Sequence, residues 1–156
     1  MQAFVLDLRN NPGGLLSSAV DVCGEFLPPN PTVLTTRGRV DSMNPPPYRT
    51  SEKQRRARTY PVAILINQTS ASGAEVVAGA LQDLKRAVIV GETSFGKGSV
   101  QSIIPMGMGT GAAMRLTTAK YYTPSQKVIH EEGVTPNIEI TLTPAEEREL
   151  ARWRNR

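Results

Sequence analysis

The chain contains three short apolar runs, at residues 3–8, 61–67 and 87–90. Each run is bounded by turn residues and has the length of one buried strand rather than of a helix. Between them, apolar residues recur at helical spacing from Leu16 to Leu27 and again within residues 72–84. This order of strand, helix, strand, helix and strand predicts right-handed crossovers and a layered α/β fold.

The pattern changes in the second half of the chain. Residues 100–105 and 112–122 have the character of strands, and the glycine-rich segment 107–111 between them predicts a β-hairpin. A further strand is expected at residues 32–36. Near the end, Thr143 is followed by proline, alanine and glutamate, which is the signature of a capped helix start, and we expect that helix to reach about Arg154.

Length and composition predict one domain over residues 1–156. The chain has 156 residues, of which 39% are hydrophobic, enough to bury one substantial core. No run of about 18 apolar residues is present, so no membrane span is expected.

The formal net charge of +4 arises from one stretch. Seven basic residues lie close together there: Arg37, Arg39, Arg49, Lys53, Arg55, Arg56 and Arg58. Only two tyrosines lie among them, and no base-stacking pattern is evident, so nucleic acid binding is not expected. We predict an exposed basic loop over residues 39–60.

The sequence disfavours a metal site and an intramolecular disulfide. One cysteine and one histidine cannot supply a zinc site without carboxylates taking over, so we expect no metal and no cofactor. Cys23 has no second cysteine to pair with. Because it falls on the apolar face of the first helix, it is expected to be a buried structural thiol.

Ser72 is the first candidate catalytic residue, since it follows a strand and begins a helix. Backbone N–H groups and the positive end of the dipole meet at such a position, where the oxyanion of an acyl transfer would form. A structural alternative is that Ser72 only caps its helix, because Ser72 and Glu75 match a capping box. The two roles are compatible.

Lys97, which lies between two glycines, is the second candidate. A lysine activates a serine only when its ammonium is desolvated enough to lose its proton. We expect the apolar residues 87–90 and 103–104 to supply a dry environment that lowers the lysine pKa. The single histidine, His130, has no evident aspartate partner, which disfavours a Ser-His-Asp relay.

Other motifs compete with this interpretation. Residues 91–98 nearly match a phosphate-binding loop, but Gly98 replaces the required hydroxyl and a strand pattern follows where a helix should begin. Ser94 and Lys97 fit the Ser-x-x-Lys motif of penicillin-recognising enzymes, whose companion motifs do not occur in the chain. The glycines at 107–111 are expected to be turn residues rather than a dinucleotide site.

The turn Pro12-Gly13-Gly14 lies between the first strand and the first helix. Its backbone N–H groups are placed to hold a developing oxyanion, although a plain tight turn explains the same residues.

Four segments, in order along the chain, closely resemble the carboxyl-terminal processing (tail-specific) proteases of peptidase family S41. They are LDLRNNPGGLL at residues 6–16, SASGAEVVAGALQD at 70–83, VGETSFGKGSVQ at 90–101 and YYTPS at 121–125.

This resemblance implies roles for particular residues. Ser72 would be the nucleophile, Lys97 the general base and Gln101 the residue that orients the lysine. The oxyanion hole would be formed by the backbone N–H of Gly73 and that of a glycine in the Pro12 to Gly14 turn, for which we favour Gly13. If residues 98–102 form a strand, the even offset places Gln101 on the same side as Lys97.

The resemblance also implies a crotonase/ClpP-like α/β protease core, present here in part. The N-terminal strands and the PDZ domain of the family have no counterpart in this chain. Expected substrates are polypeptides bound through their C-termini, with a periplasmic or other extracytoplasmic location and a possible homo-oligomer. Residues 1–7 do not form a signal peptide. An inactive or regulatory fragment, and an acyl-processing or binding module on the same fold, are the alternatives.

Overall fold

A computed structural model describes residues 1–52, 58–107 and 111–154. The strands within these ranges are β1 (Phe4–Asp7), β2 (Thr32–Gly38), β3 (Tyr48–Arg49), β4 (Val62–Ile66), β5 (Val88–Gly91), β6 (Ser99–Pro105), β7 (Ala113–Tyr122) and β8 (Ile138–Glu139). The α-helices are α1 (Leu16–Gly24), α2 (Gly73–Asp83) and α3 (Pro144–Arg154).

The first sheet is parallel and has the strand order β1-β4-β5-β8. Its first three strands are the three apolar runs, so the predicted α/β fold is confirmed. Strand β8 was not predicted, because two residues paired to the end of β5 leave no periodic signal in the sequence.

The core lies between this sheet and helices α1 and α2, and Val33 and Leu34 of β2 contribute to it. Along β4 the side chains alternate between buried and partly buried positions, and Ile64 and Ile66 on the buried face are almost wholly inaccessible. Helix α2 packs against α1 and β5, and its residues from Gly73 to Leu81 are all buried. Burial of one leucine side chain such as that of Leu81 contributes about 1.5–3 kcal/mol. The start of α2 is therefore fixed at the carboxyl end of the sheet by its own core contacts.

The second sheet is antiparallel, with the order β3-β2-β7-β6. Strands β6 and β7 form the predicted hairpin, whose residues 108–110 lie outside the described ranges. The strand expected at residues 32–36 is confirmed as β2, which extends to Gly38 and pairs with β7 rather than with the parallel sheet.

The described residues of the basic stretch 39–60 are mostly exposed, but they include a short strand and a buried threonine. Tyr48 and Arg49 form β3, and the next residue, Thr50, is buried with its hydroxyl donated to the Pro28 carbonyl at 2.9 Å. Arg58 forms an ion pair with Glu25 at 2.8 Å. The prediction for residues 53–57 falls outside the described part of the chain.

The predicted terminal helix is confirmed as α3, and its start is capped as expected. The N–H and the hydroxyl of Thr143 both donate to Glu146, at 2.8 and 2.7 Å. None of the described helices has the length and apolar character needed to cross a membrane.

Cys23 is fully buried in α1, as predicted, and burial raises the pKa of its thiol to about 12. Only the thiolate reacts with alkylating reagents. We therefore expect iodoacetamide at about pH 8 to label the native chain at least about 100-fold more slowly than the chain in denaturant. Intact-mass spectrometry over time measures both rates, with Cys23→Ser as the control for labelling elsewhere. Equal rates in the two conditions would show that the thiol is accessible in the folded chain.

Candidate active site

Ser72 lies at the turn between β4 and α2, where the backbone adopts an unusual conformation. It precedes the first residue of α2, is partly buried, and has φ of 57° and ψ of −118°. Residues other than glycine rarely adopt positive φ, and such strain costs about 1–3 kcal/mol. It persists only where the surrounding structure holds the residue in place.

Part of that support is a polar network joining the segment before Ser72 to the segment after β1. The Ser70 hydroxyl is buried and donates to the Leu8 carbonyl at 2.7 Å. The Ala71 N–H donates to the Asn11 carbonyl at 2.9 Å, and the Asn10 N–H donates to Asn67 at the same distance. The turns that follow β1 and β4 are thereby fixed together. In parallel sheets, ligands bind at this carboxyl edge of the strands.

Gly13 brings the Pro12 to Gly14 turn against the start of α2. It has φ of 92°, and a methyl group on it would lie 2.6 Å from the Gly73 nitrogen and 2.8 Å from Ser72 Cβ. No side chain fits there. The structure therefore brings Gly13 into close contact with Ser72 and Gly73.

The amide of Gly13 has a hydrogen-bond partner within its own turn. Its N–H donates to Asn11 Oδ1 at 2.8 Å, so the donor that the sequence analysis favoured for an oxyanion hole is already engaged. The nitrogen of Gly14 lies close to Gly73, 3.2 Å from the position that a Cβ there would occupy.

Glu75 connects the turn that carries Ser72 to the segment that carries Lys97. Its side chain is fully buried in the first turn of α2. Oε2 accepts the N–H groups of Ser72 and Lys97, each at 2.8 Å. Oε1 accepts the Ser94 hydroxyl and the Gly96 N–H, each at 2.6 Å. Within the described part of the chain, these four donors lie in the segments that carry the two candidate catalytic residues.

The shared oxygen fixes a distance between those two residues. Because the Ser72 and Lys97 nitrogens each lie 2.8 Å from Glu75 Oε2, they are separated by no more than twice that value, about 5.6 Å. The sequence identified Glu75 only as a capping residue. Its larger role was not visible, because its other donors follow it by 19 to 22 positions.

The glycines on both sides of Lys97 are required by close backbone packing. Gly96, with φ of 86°, lies against the backbone of Glu131 and accepts the N–H of that residue at 2.8 Å. A Cβ on Gly98 would lie 2.4 Å from the His130 nitrogen. Strand β6 begins directly afterwards, so the segment lacks the helix start that a phosphate-binding loop needs.

The Lys97 side chain is exposed, so the expected dry pocket around its amine is wrong for this chain. Of the apolar residues expected to cover it, Val88 and Ile103 are themselves exposed, Ile103 to 74%. Within residues 1–52, 58–107 and 111–154, no carboxylate forms an ion pair with Lys97, and its amine has no hydrogen bond to Ser72 Oγ.

Gln101 lies on β6, as expected, and its side-chain amide is engaged across the hairpin. Nε2 donates to Thr117 Oγ1 on β7 and, at 3.5 Å, to Ser99 Oγ. Its predicted role of orienting Lys97 stays a prediction.

The segment Thr123 to Ser125 anchors the far end of α2. Ser125 donates its N–H and its hydroxyl to Asp83 Oδ2 at 2.9 and 2.6 Å, and Lys127 lies 3.3 Å from the other oxygen. Burial favours a raised pKa for Asp83, but the hydrogen bonds from Ser125 and Thr123 and the charge of Lys127 outweigh it, and the pKa is lowered. This motif is therefore structural.

In the described part of the chain, no three His, Cys, Asp or Glu side chains are grouped as a metal ion requires.

We expect Glu75→Gln to destabilise the chain by about 2–4 kcal/mol. The amide keeps one acceptor oxygen but turns an NH₂ group towards two donors, so two charge-assisted hydrogen bonds are lost in a buried place. Urea unfolding followed by circular dichroism measures the change. Glu92→Gln, the same substitution outside this cluster, is the matched control. Equal stability of the two variants would show that the Glu75 hydrogen bonds do not hold the site together.

Comparisons with known proteins place this chain in a family. The sequence profile of peptidase family S41 matches residues 1–140. A carboxy-terminal-processing protease of Bartonella bacilliformis is 48% identical over 140 residues, covering 90% of this chain and 31% of that protein. A carboxyl-terminal-processing protease of Synechocystis is 41% identical over 136 residues, covering 86% of this chain and 30% of that protein. The chain thus spans about a third of the length of these relatives.

Solved structures agree with the sequence match. The photosystem II D1 C-terminal processing protease superposes with a TM-score of 0.80 at 31% identity, covering 97% of this chain and 38% of that one. Mature CPAF in complex with lactacystin shares the fold, with a TM-score of 0.78 at 18% identity, covering 99% of this chain and 42% of that one. The chain belongs to peptidase family S41.

Proposed function

We propose that this chain carries the nucleophile and the general base of a serine peptidase that cleaves polypeptides near their C-termini. The observation that carries the proposal is the shared Glu75 oxygen, which holds the backbone nitrogens of Ser72 and Lys97 within about 5.6 Å of each other. A serine needs a base within reach, and no histidine lies in this cluster of hydrogen bonds.

In the proposed reaction, the neutral amine of Lys97 removes the Ser72 hydroxyl proton as Oγ attacks the carbonyl carbon of the scissile peptide. The tetrahedral intermediate collapses, the C–N bond breaks, and the lysine returns the proton to the leaving amine. Water then attacks the acyl-enzyme with Lys97 again acting as the base, which releases a new carboxyl end and restores the serine.

Two backbone N–H groups that lie beside the start of α2 are the best candidates to bind the oxyanion. The Gly73 N–H is at the positive end of the helix dipole, beside the strained Ser72. We assign the second donor to Gly14, because its nitrogen lies next to Gly73 while the Gly13 amide donates to Asn11. Preorganised donors of this kind are worth about 2.7–4 kcal/mol each in transition-state stabilisation.

The choice of substrate rests on the relatives. The proteins of Bartonella bacilliformis and Synechocystis are named for carboxy-terminal processing, and the matched region contains the proposed dyad. We extend this to C-terminal segments of polypeptides as substrates, recognised with the help of a PDZ domain in a whole protein that acts outside the cytoplasm.

A serine-directed fluorophosphonate tests the dyad without a polypeptide substrate. We expect covalent labelling at Ser72, abolished in Ser72→Ala and slowed at least about 100-fold in Lys97→Met, because loss of a general base costs about 10²–10⁴ in rate. Lys85→Met, which removes an exposed lysine at the other end of α2, is the matched control. Peptide mapping by mass spectrometry identifies the labelled residue and gives the rate.

Silence of the probe on a chain with a folded circular dichroism spectrum would favour the alternative, an inactive or regulatory member of the family. The exposed Lys97 amine is the observation on the side of that alternative. Equal labelling of the Lys97→Met and Lys85→Met variants would remove Lys97 from the mechanism.

We expect Gly13→Ala to cut fluorophosphonate labelling at least about 10-fold and to destabilise the chain by about 2 kcal/mol or more. The new methyl group would lie 2.6 Å from the Gly73 nitrogen, and φ of 92° strains any L residue. Labelling per folded molecule and urea unfolding measure the two effects. Gly14→Ala is the control for stability, because a methyl group there meets no atom within 4 Å. Normal labelling in Gly13→Ala would show that the turn does not shape the site.

A further inference from the structure

The β6–β7 hairpin ends in a tip that is apolar and exposed. Five side chains of this tip are between 38% and 74% exposed: Ile103, Ile104, Met106, Met114 and Leu116. Successive residues of a strand point to opposite faces, so Ile103 lies on one face of the hairpin and Ile104, with its cross-strand partner Met114, lies on the other. Both faces of the tip are therefore apolar, and an exposed apolar surface of this kind is typical of a site of contact with a partner or a membrane.

One face of the antiparallel sheet is also basic. Arg115 pairs with Ile103, while Lys120 pairs with Ser99 on β6 and with Arg37 on β2. Ser99 and Ile103 are an even number of residues apart on β6, and the register shift between them adds its extra residue to β7. The three cations therefore share the face that carries Ile103, and all three are exposed.

No carboxylate of the described residues balances these charges. Strands β2, β3, β6 and β7 contain no aspartate and no glutamate. Within residues 1–52, 58–107 and 111–154, no ion pair involves Arg37, Arg115 or Lys120. Arg37 instead lies 5.0 Å from the centroid of the Tyr122 ring and donates to Gln126. Like charges directly opposite each other in a sheet are destabilising, so an anionic surface over this face would relieve the Arg37–Lys120 pair.

We propose that the tip of the β6–β7 hairpin inserts into the surface of an anionic lipid bilayer, with Arg37, Arg115 and Lys120 among the lipid phosphates. Apolar side chains that enter the boundary between headgroups and acyl chains, next to cations that contact the phosphates, are the combination by which peripheral proteins bind such surfaces. This binding does not require the chemistry of Ser72 and Lys97.

A bilayer fits these two features better than a protein partner does. A protein seated on one face of the hairpin would leave the apolar residues of the other face exposed, whereas lipid surrounds an inserted tip. A second copy of the chain would bring two basic faces together, which like charges oppose. Because β6 is an edge strand, its outward N–H and C=O groups need water, and insertion is confined to the hydrated boundary of the bilayer.

Co-sedimentation with large vesicles tests the proposal. The anionic vesicles are phosphatidylcholine with about 30% phosphatidylglycerol, and the neutral vesicles are phosphatidylcholine alone. We expect the unsubstituted chain to bind the anionic vesicles at least about 10-fold more tightly than the neutral ones. Most of this difference should disappear between about 50 and 500 mM salt, because salt screens the attraction to the phosphates.

Two double variants separate the basic face from net charge. Arg115→Gln with Lys120→Gln should weaken binding to anionic vesicles about 20- to 30-fold, since one basic residue near an anionic surface is worth about 5-fold in affinity. Arg148→Gln with Arg152→Gln removes the same charge from exposed positions of α3 and is the matched control, which should bind as the unsubstituted chain does. Circular dichroism shows that each variant is folded.

A fluorophore at the tip tests insertion. Met106→Cys, labelled with an environment-sensitive maleimide dye, should shift its emission to shorter wavelength on anionic vesicles, because the dye leaves water. The same dye on Ser18→Cys, at an exposed position of α1, should not shift. Cys23 is buried and has a raised pKa, so it stays unlabelled in the folded chain.

Four results would overturn the proposal. They are no sedimentation with anionic vesicles, equal affinity for neutral and anionic vesicles, equal weakening by the two double variants, and unchanged emission at residue 106 in vesicle-bound chain. Poly-glutamate distinguishes the other anionic occupant. If it binds the chain, loses affinity in the Arg115→Gln, Lys120→Gln variant, and vesicles do not bind, the basic face accepts an acidic polypeptide and the membrane proposal is rejected.

Discussion

The buried carboxylate of Glu75 is the interaction on which the arrangement of the candidate site depends. A buried charge is costly unless donors surround it, and here three N–H groups and one hydroxyl do so. Hydrogen bonds to a charged group contribute about 1.5–3 kcal/mol each. Their sum exceeds the strain of about 1–3 kcal/mol expected for the backbone of Ser72. The same carboxylate that caps α2 therefore also holds the serine in a conformation that it would not adopt alone.

Local patterns in the sequence predicted most of the architecture. The apolar runs became β1, β4 and β5, and the glycine-linked pair became the β6–β7 hairpin, because periodicity and turn chemistry act over a few residues. Strands β3 and β8 escaped prediction, since each is two residues long and exists only through its neighbour. The role of Glu75 escaped for a related reason. Its capping signature is local, whereas its bonds to Ser94, Gly96 and Lys97 depend on how two distant segments meet.

The exposure of the Lys97 side chain could not be predicted from the sequence. Apolar residues near it in the sequence suggested burial, but an apolar residue in a strand reveals only that one face favours contact with another apolar surface. In this chain, the first sheet leaves Val5 and Val88 exposed, and the hairpin leaves Ile103 exposed. Parallel sheets are usually covered on both faces. Val88 and Ile103, which the sequence analysis expected to surround Lys97, are therefore exposed in this chain.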